Sequence, residues 1–172
     1  MTATEIQAMD AIFAEHMDAE TGGDLETTLA TMTENPHLVN VPTMVGGAGA
    51  DGVRSFYAEH LIGQFFPPDV VFTPVSRTYG EDRLVDEIVI DFTHTIVIDW
   101  MLPHVAPTGR RVSVAFVVIV GLDEGKISYE HIYWDQATVL VQLGLLDPTG
   151  LPVAGAQAAA KVLDPKIAGP HF

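Results

Sequence analysis

The 172-residue sequence predicts an α+β fold, helices first and an antiparallel sheet after them. Three observations carry this. Apolar residues recur with helical spacing between residues 4 and 61, they alternate with strand spacing between residues 70 and 135, and the two patterns do not interleave as in a parallel βαβ chain. Thr4–Glu20 forms the first helix, with Ile6, Met9, Ile12, Phe13 and Met17 as an apolar stripe, Thr4 as its expected cap and Gly22-Gly23 as its end. Asp24 caps a short second helix to about Met32, and Asn35-Pro36 stops it, because proline disfavours helix in the residue before it. His37–Val41 is a short strand and Pro42–Gly52 a glycine-rich loop without the GxxxxGK pattern of a phosphate cradle. Asp51 or Gly52 opens a third helix with Val53, Phe56, Tyr57, His60 and Leu61 on one side, and Phe65–Asp69 is a proline-broken turn.

Four strands follow: Val70–Tyr79, Leu84–Met101, Arg111–Leu122 and Ile127–Asp135. Turns at Gly80-Glu81-Asp82 and Asp123-Glu124-Gly125 and the loop Met101–Arg110 join them. After Asp135 the period becomes helical through Val139, Leu140, Leu143 and Leu146. One domain over 1–146 is expected, with a tail over 147–172 that carries an alanine-rich helix at Ala154–Leu163.

Composition narrows the function classes. There is no cysteine, which excludes a disulfide scaffold, a thiolate metal site and a cysteine nucleophile. A formal charge of −15 argues against nucleic acid or an anionic membrane as partner. No apolar run reaches spanning length without a charge or a turn, and the acidic, helical first residues do not resemble a signal peptide, so a cytoplasmic protein is expected. Seven histidines raise the question of a metal, but no His-x-His or HExxH spacing occurs and no metal is expected. The GxSxG of a serine hydrolase is also absent.

Strand phase selects the candidate site. In the second strand Ile88, Ile90, Phe92, His94, Ile96, Ile98 and Trp100 share one face, apolar but for His94. In the last, Ile127, Tyr129, His131, Tyr133 and Asp135 share a face opposite Ser128, Glu130, Ile132 and Trp134. The first set is expected to face inward, so that His131 and His94 meet in one cavity with Asp135 at its end. A neutral imidazole in an apolar cavity can shuttle a proton near neutral pH, and a desolvated carboxylate there is poised as acid or base. The competing expectation for His94 is ordinary core packing, and for Asp135 a helix cap. Tyr133 and Tyr129 are expected to contact substrate, Trp100, Phe92, Phe56 and Tyr57 to line the wall, and His37 and Asn40 to lie near its mouth. Val112–Val120 is apolar on both faces, which predicts a homodimer through the outer face of the sheet unless the tail covers it.

These residues carry a resemblance. Gly125-Lys126-Ile127, Asp135 and Val139-Leu140-Val141-Gln142-Leu143-Gly144, together with Asp99–Pro103, Pro107-Thr108-Gly109 and His131–Asp135, resemble the nuclear transport factor 2-like superfamily and, within it, the SnoaL-like polyketide cyclase branch. The resemblance spans about residues 1–145. It implies a cone-like barrel in which N-terminal helices pack in a curved antiparallel sheet, with a deep pocket and a dimer on the sheet's back. It also implies acid–base catalysis without a cofactor, with Asp135 at the position of the family's aspartate. The chain departs from the pattern at His131, where tryptophan is common. Limonene epoxide hydrolases of the superfamily use an Asp-Arg-Asp set, and none of the five arginines is evidently flanked by two carboxylates on an inward strand face. Members resembling scytalone dehydratase use His, Tyr and Asp.

The leading expectation is therefore a cofactor-independent enzyme on a small apolar carbonyl compound, of isomerase, dehydratase or aldol cyclase type. Asp135 would move the proton, tuned by His131, with His94 and Tyr133 stabilising the enolate. A non-catalytic binding or adaptor domain is the first alternative and an epoxide or lactone hydrolase the next.

Overall fold

The computed structural model describes residues 1–63 and 65–169; the end of the expected tail, Pro170–Phe172, lies outside the described residues. Helix α1 spans Ala3–Gly22 and α2 spans Leu25–Ala30. Strands β1 (Met32–Asn40) and β2 (Val45–Ala48) precede α3 (Gly49–Phe56), which continues as a wider π turn over Tyr57–Leu61. Strands β3 (Val71–Tyr79), β4 (Arg83–Thr93), β5 (Arg111–Asp123) and β6 (Lys126–Trp134) follow, then α4 (Gln136–Gln142) and α5 (Gln157–Leu163).

The α+β arrangement is as expected: N-terminal helices pack against a single six-stranded sheet in the order β2-β1-β6-β5-β4-β3. The sheet is mixed and open, and so neither wholly antiparallel nor a closed barrel. β1 runs parallel to β6, with Met32 beside Ile127 and Val39 beside His131, and every other pairing is antiparallel. A parallel pair needs a long crossover. Here the crossover is everything from β2 to β5.

Local chemistry explains the boundaries. The cap of α1 is Thr2, two residues ahead of expectation, because Glu5 lies three residues beyond it. Its hydroxyl accepts from the Glu5 N–H while the Glu5 carboxylate accepts from the Thr2 N–H. Gly23 ends the helix at φ +78°, a left-handed conformation suited to glycine. The expected loop at 42–52 holds β2, and its glycines are steric: a Cβ on Gly46 would stand 2.0 Å from the Leu38 carbonyl oxygen, and one on Gly47 2.2 Å from that of Gly52. β4 ends at Thr93, eight residues short of the expected strand. The apolar residues beyond it, Ile98, Trp100, Met101 and Leu102, are buried through a helical turn in which the Leu102 N–H donates to the Ile98 carbonyl. The core lies between α1, α3 and the inner face of the sheet, built on Phe13, Val53, Phe56, Phe92, Val114 and Phe116. α5 packs against β4 and β5.

Candidate functional site

A cavity of about 230 Å³ lies over the inner face of the sheet. Its walls are mostly aromatic and aliphatic: Phe13 and Met17 from α1, Phe56 from α3, Phe65 and Phe66 from the turn before β3, Trp100, and Ile88, Ile90, Phe116, Val118 and Ile132 from the central strands. Five polar side chains reach it: Glu20, Asn40, Arg77, Asp86 and Glu130.

The face that β6 presents is the reverse of the one expected. Glu130 and Ile132 line the cavity, whereas Tyr129, His131 and Tyr133 stand on the outer face. The cause is a bulge. Tyr129 pairs with Gly121 but Ile127 with Leu122, so Ser128 is an extra residue in the ladder. Ile127 is fully buried, as its alternation suggests, and the phase inverts one residue later. The Tyr129 ring then lies over Gly121, where a Cβ would meet it at 2.0 Å.

Glu130 enters a polar cluster sealed behind the cavity. The Tyr57 hydroxyl donates to its Oε2 at 3.0 Å. His16 Nε2 lies 3.4 Å from the same oxygen, 3.1 Å from the Tyr57 oxygen and 3.9 Å from Glu20 Oε2. His16 Nδ1 lies 2.7 Å from the Thr31 hydroxyl. His16 and Tyr57 are completely buried, and Glu20 and Glu130 are 7% and 3% exposed. The environment pushes the two carboxyls apart. Burial and the charge on Glu130 raise Glu20 to about 8. Burial also opposes ionisation of Glu130, but the His16 charge and hydrogen bonds from His16 and Tyr57 outweigh it and hold Glu130 below its ordinary value. Burial disfavours a charged His16, yet Glu130 and then Glu20 raise it, net, to about 9. Burial pushes the Tyr57 phenol well up.

A second polar group stands across the cavity. Arg77 on β3 sits directly opposite Asp86 on β4 and binds it through two nitrogens. Its third donor reaches Asp10 of α1 at 2.6 Å, and the Tyr79 hydroxyl donates to the same Asp10 oxygen. A ladder irregularity between Pro74 and Ser76 lets Phe72 and Arg77, five positions apart, both reach the cavity. An arginine between two carboxylates was not anticipated, because the bulge hides its phase.

The remaining candidates are placed as follows. Trp100, Phe56 and Asn40 line the cavity; the Trp100 indole donates to the Phe65 carbonyl and the Asn40 amide to that of Val45. Tyr57 stands behind the wall on Glu130, and Phe92 is buried beneath it. His94 follows the end of β4 and is enclosed by the 94–110 segment. The Thr108 N–H donates to its Nδ1 at 3.3 Å, Nε2 is buried without a partner, and burial holds the ring below its ordinary value. Asp135 is exposed and caps α4, accepting from the Ala137 and Thr138 N–H groups and the Thr138 hydroxyl. His37 is on the outer face, its Nε2 3.1 Å from that of His131, with its ring stacked on Tyr129. Neither His131, His94 nor Asp135 therefore reaches the cavity wall. Glu20, Asn40, Arg77, Asp86 and Glu130 supply the polar groups there, with His16 behind Glu20 and Glu130. For α1 the signal is in the sequence: Met9, Phe13, His16 and Glu20 follow one helical stripe, its polar members included.

Among the described residues no group of three or more His, Asp or Glu is disposed to hold a metal ion, and no helix is long and apolar enough to cross a membrane.

A family model described as a SnoaL-like domain matches residues 6–130, stopping short of Asp135 and α4. No curated protein matches the chain. Solved structures share the fold. A SnoaL-like polyketide cyclase, so named provisionally, from Jannaschia sp. CCS1 is 18% identical with a TM-score of 0.64, over 82% of this chain and 94% of that one. A protein with a ketosteroid isomerase-like fold from Catenulispora acidiphila, solved with trimethylamine, is 16% identical (TM-score 0.58; 78% and 93%). The epoxide hydrolase/cyclase-like enzyme SalBIII, of pyran ring formation in the polyether salinomycin, is 19% identical (TM-score 0.55; 75% and 92%).

Proposed function

The chain belongs to the SnoaL-like domain family, and we propose that it is a cofactor-independent acid–base enzyme acting on a small, largely apolar carbonyl compound. One arrangement carries the reading: two carboxyls, Glu20 and Glu130, line an apolar cavity and share one buried histidine, in surroundings that push their ionisation in opposite directions. Such a pair is an acid and a base already assigned. Glu130, ionised, takes a proton from the carbon alpha to the carbonyl. Glu20, protonated, donates to the carbonyl oxygen as charge develops on it. Return of the proton to another carbon is isomerisation, loss of a beta hydroxyl is dehydration, and attack of the enolate on a second carbonyl is aldol cyclisation. Phe66, Trp100 and Ile132 supply the apolar contact that excludes water. The same reading keeps a second copy of the chain on the outer face of the sheet, where the cross-strand neighbours Val117 and Tyr133 are exposed.

A specific observation favours a second reading. Arg77 is held between Asp10 and Asp86 with Arg77 and Asp86 at the cavity wall, a set suited to opening an epoxide or lactone. One experiment separates the two. Small cyclic ketones and small apolar epoxides are incubated with the protein in D2O and followed by NMR. Protein-dependent alpha-deuteration that falls at least about 100-fold in Glu130→Gln supports the carbonyl reading. Equal exchange by both proteins ends it, and epoxide turnover without exchange transfers the function to the Asp10–Arg77–Asp86 set.

A further inference from the structure

The cluster behind the cavity offers more acceptors than donors unless one ring carries an extra proton. The Thr31 hydroxyl donates its single proton to the Thr28 carbonyl at 2.6 Å. Toward His16 Nδ1, 2.7 Å away, that oxygen is therefore an acceptor, and Nδ1 carries a hydrogen. The Tyr57 hydroxyl donates its single proton to Glu130 Oε2. Toward His16 Nε2, at 3.1 Å, the phenolic oxygen is likewise an acceptor, and so is the Glu130 carboxylate at 3.4 Å. Nε2 then carries a hydrogen as well.

We infer that His16 is a buried imidazolium that positions the reacting carboxylates: it holds Glu130 ionised as the base and leaves the pair's one proton on Glu20. The inference rests on the acid–base reading of the cavity. Among the described residues the polar groups packed on the ring are Glu20 from its own helix, Thr28 and Thr31 from α2 and its end, Tyr57 from the turn after α3, and Glu130 from β6. One positive charge faces two carboxyls, and it neutralises the nearer. Glu130 accepts the Tyr57 hydroxyl at 3.0 Å and pairs with the His16 charge at 3.4 Å, whereas Glu20, at 3.9 Å, lies beyond hydrogen-bond range and is cheapest to bury neutral. His16 does not line the cavity and touches no substrate. Its part is to set which carboxyl gives and which takes.

The test reads protons directly. The full chain, labelled with ¹⁵N, is examined by long-range ring ¹H–¹⁵N correlation at pH 7.5, with His16→Gln identifying the signal. An imidazolium shows two ring nitrogens with nearly equal shifts. That pattern is expected for His16 in the wild type, and in Glu130→Gln its titration midpoint should fall by about 1 to 3 pH units. In His16→Gln the Glu130 carboxyl, followed by ¹³C, should titrate higher by a similar amount, and the acid limb of any alpha-exchange profile should move with it. A neutral His16 with split nitrogen shifts in the wild type overturns the inference, whether or not either variant folds. The two readings fail separately. Imidazolium without alpha-exchange supports the charge assignment and ends the enzyme reading, while exchange with a neutral His16 ends the positioning role alone.

Discussion

Raising the pH from 6.5 to 9 should destabilise this protein, with the cluster behind the cavity as the cause. His16 is raised from 6.5 to about 9 in the folded chain. Between those values the folded protein holds a proton that the unfolded chain has released. A group raised by folding contributes stability that is complete below its unfolded value and lost as pH rises through its folded one. The displacement corresponds to about 3 kcal/mol. Glu20, raised from 4.5 to about 8, acts in the same sense, because the unfolded chain ionises it first and the folded chain resists. Glu130 is lowered and works in the opposite sense only in acid, below about 4.5. The window from 6.5 to 9 is thus left to His16 and Glu20. At this chain length 3 kcal/mol is a fall in Tm of about 6 to 12 °C. Thermal melts at four pH values and constant ionic strength measure it, with His16→Gln as the control that should remove the His16 share of the fall. A Tm that is constant or rises from pH 6.5 to 9 in the wild type would refute the reasoning.

Two further outcomes are expected. Asp135→Ala removes the cap of α4, whose oxygens take two backbone N–H groups and a hydroxyl, and should cost about 1 kcal/mol in urea unfolding while leaving alpha-exchange at the wild-type rate. Gly47→Ala drives a methyl to 2.2 Å from the Gly52 backbone, which must shift, and should cost about 1 to 3 kcal/mol by the same measurement; wild-type stability would mean that β2 and α3 do not approach so closely.

The elements were legible where the chain obeys one period at a time. α2 after Asp24, the turn at Gly80–Asp82 and the β5–β6 hairpin all follow from local chemistry. The site was less legible because it depends on phase, and phase is not local. Ser128 adds one residue to the β6 ladder, and that slip exchanges Tyr129, His131 and Tyr133 for Glu130, Ile132 and Trp134 on the inner face. The irregularity at Pro74–Ser76 hides Arg77 in the same way. Neither is visible in alternation alone, since a bulge is set by the partner strand. His16 and Glu20 were missed for another reason. A histidine and a glutamate in an apolar stripe read as its edge, and only the distant Tyr57 and Glu130 make their burial affordable. Asp135 caps α4, and His94 is buried with its Nε2 unpartnered.

The parallel pairing of β1 with β6 bears on how the chain assembles. Its first rung joins Met32 to Ile127, about 95 residues apart, and closing so long a loop is slow relative to forming the neighbouring hairpins. β3, β4, β5 and β6 can zip in sequence order, but β1, with α1 and α2 before it, has no sheet to join until β6 exists. Glu130 lies on that late strand. During synthesis α1 therefore keeps His16 and Glu20 in water until the strand bearing the counter-charge of His16 has emerged, and dehydration of the trio becomes one of the last events of folding. A chain stalled before residue 126 would lack both the docking edge for β1 and the partner that lets α1 leave solvent.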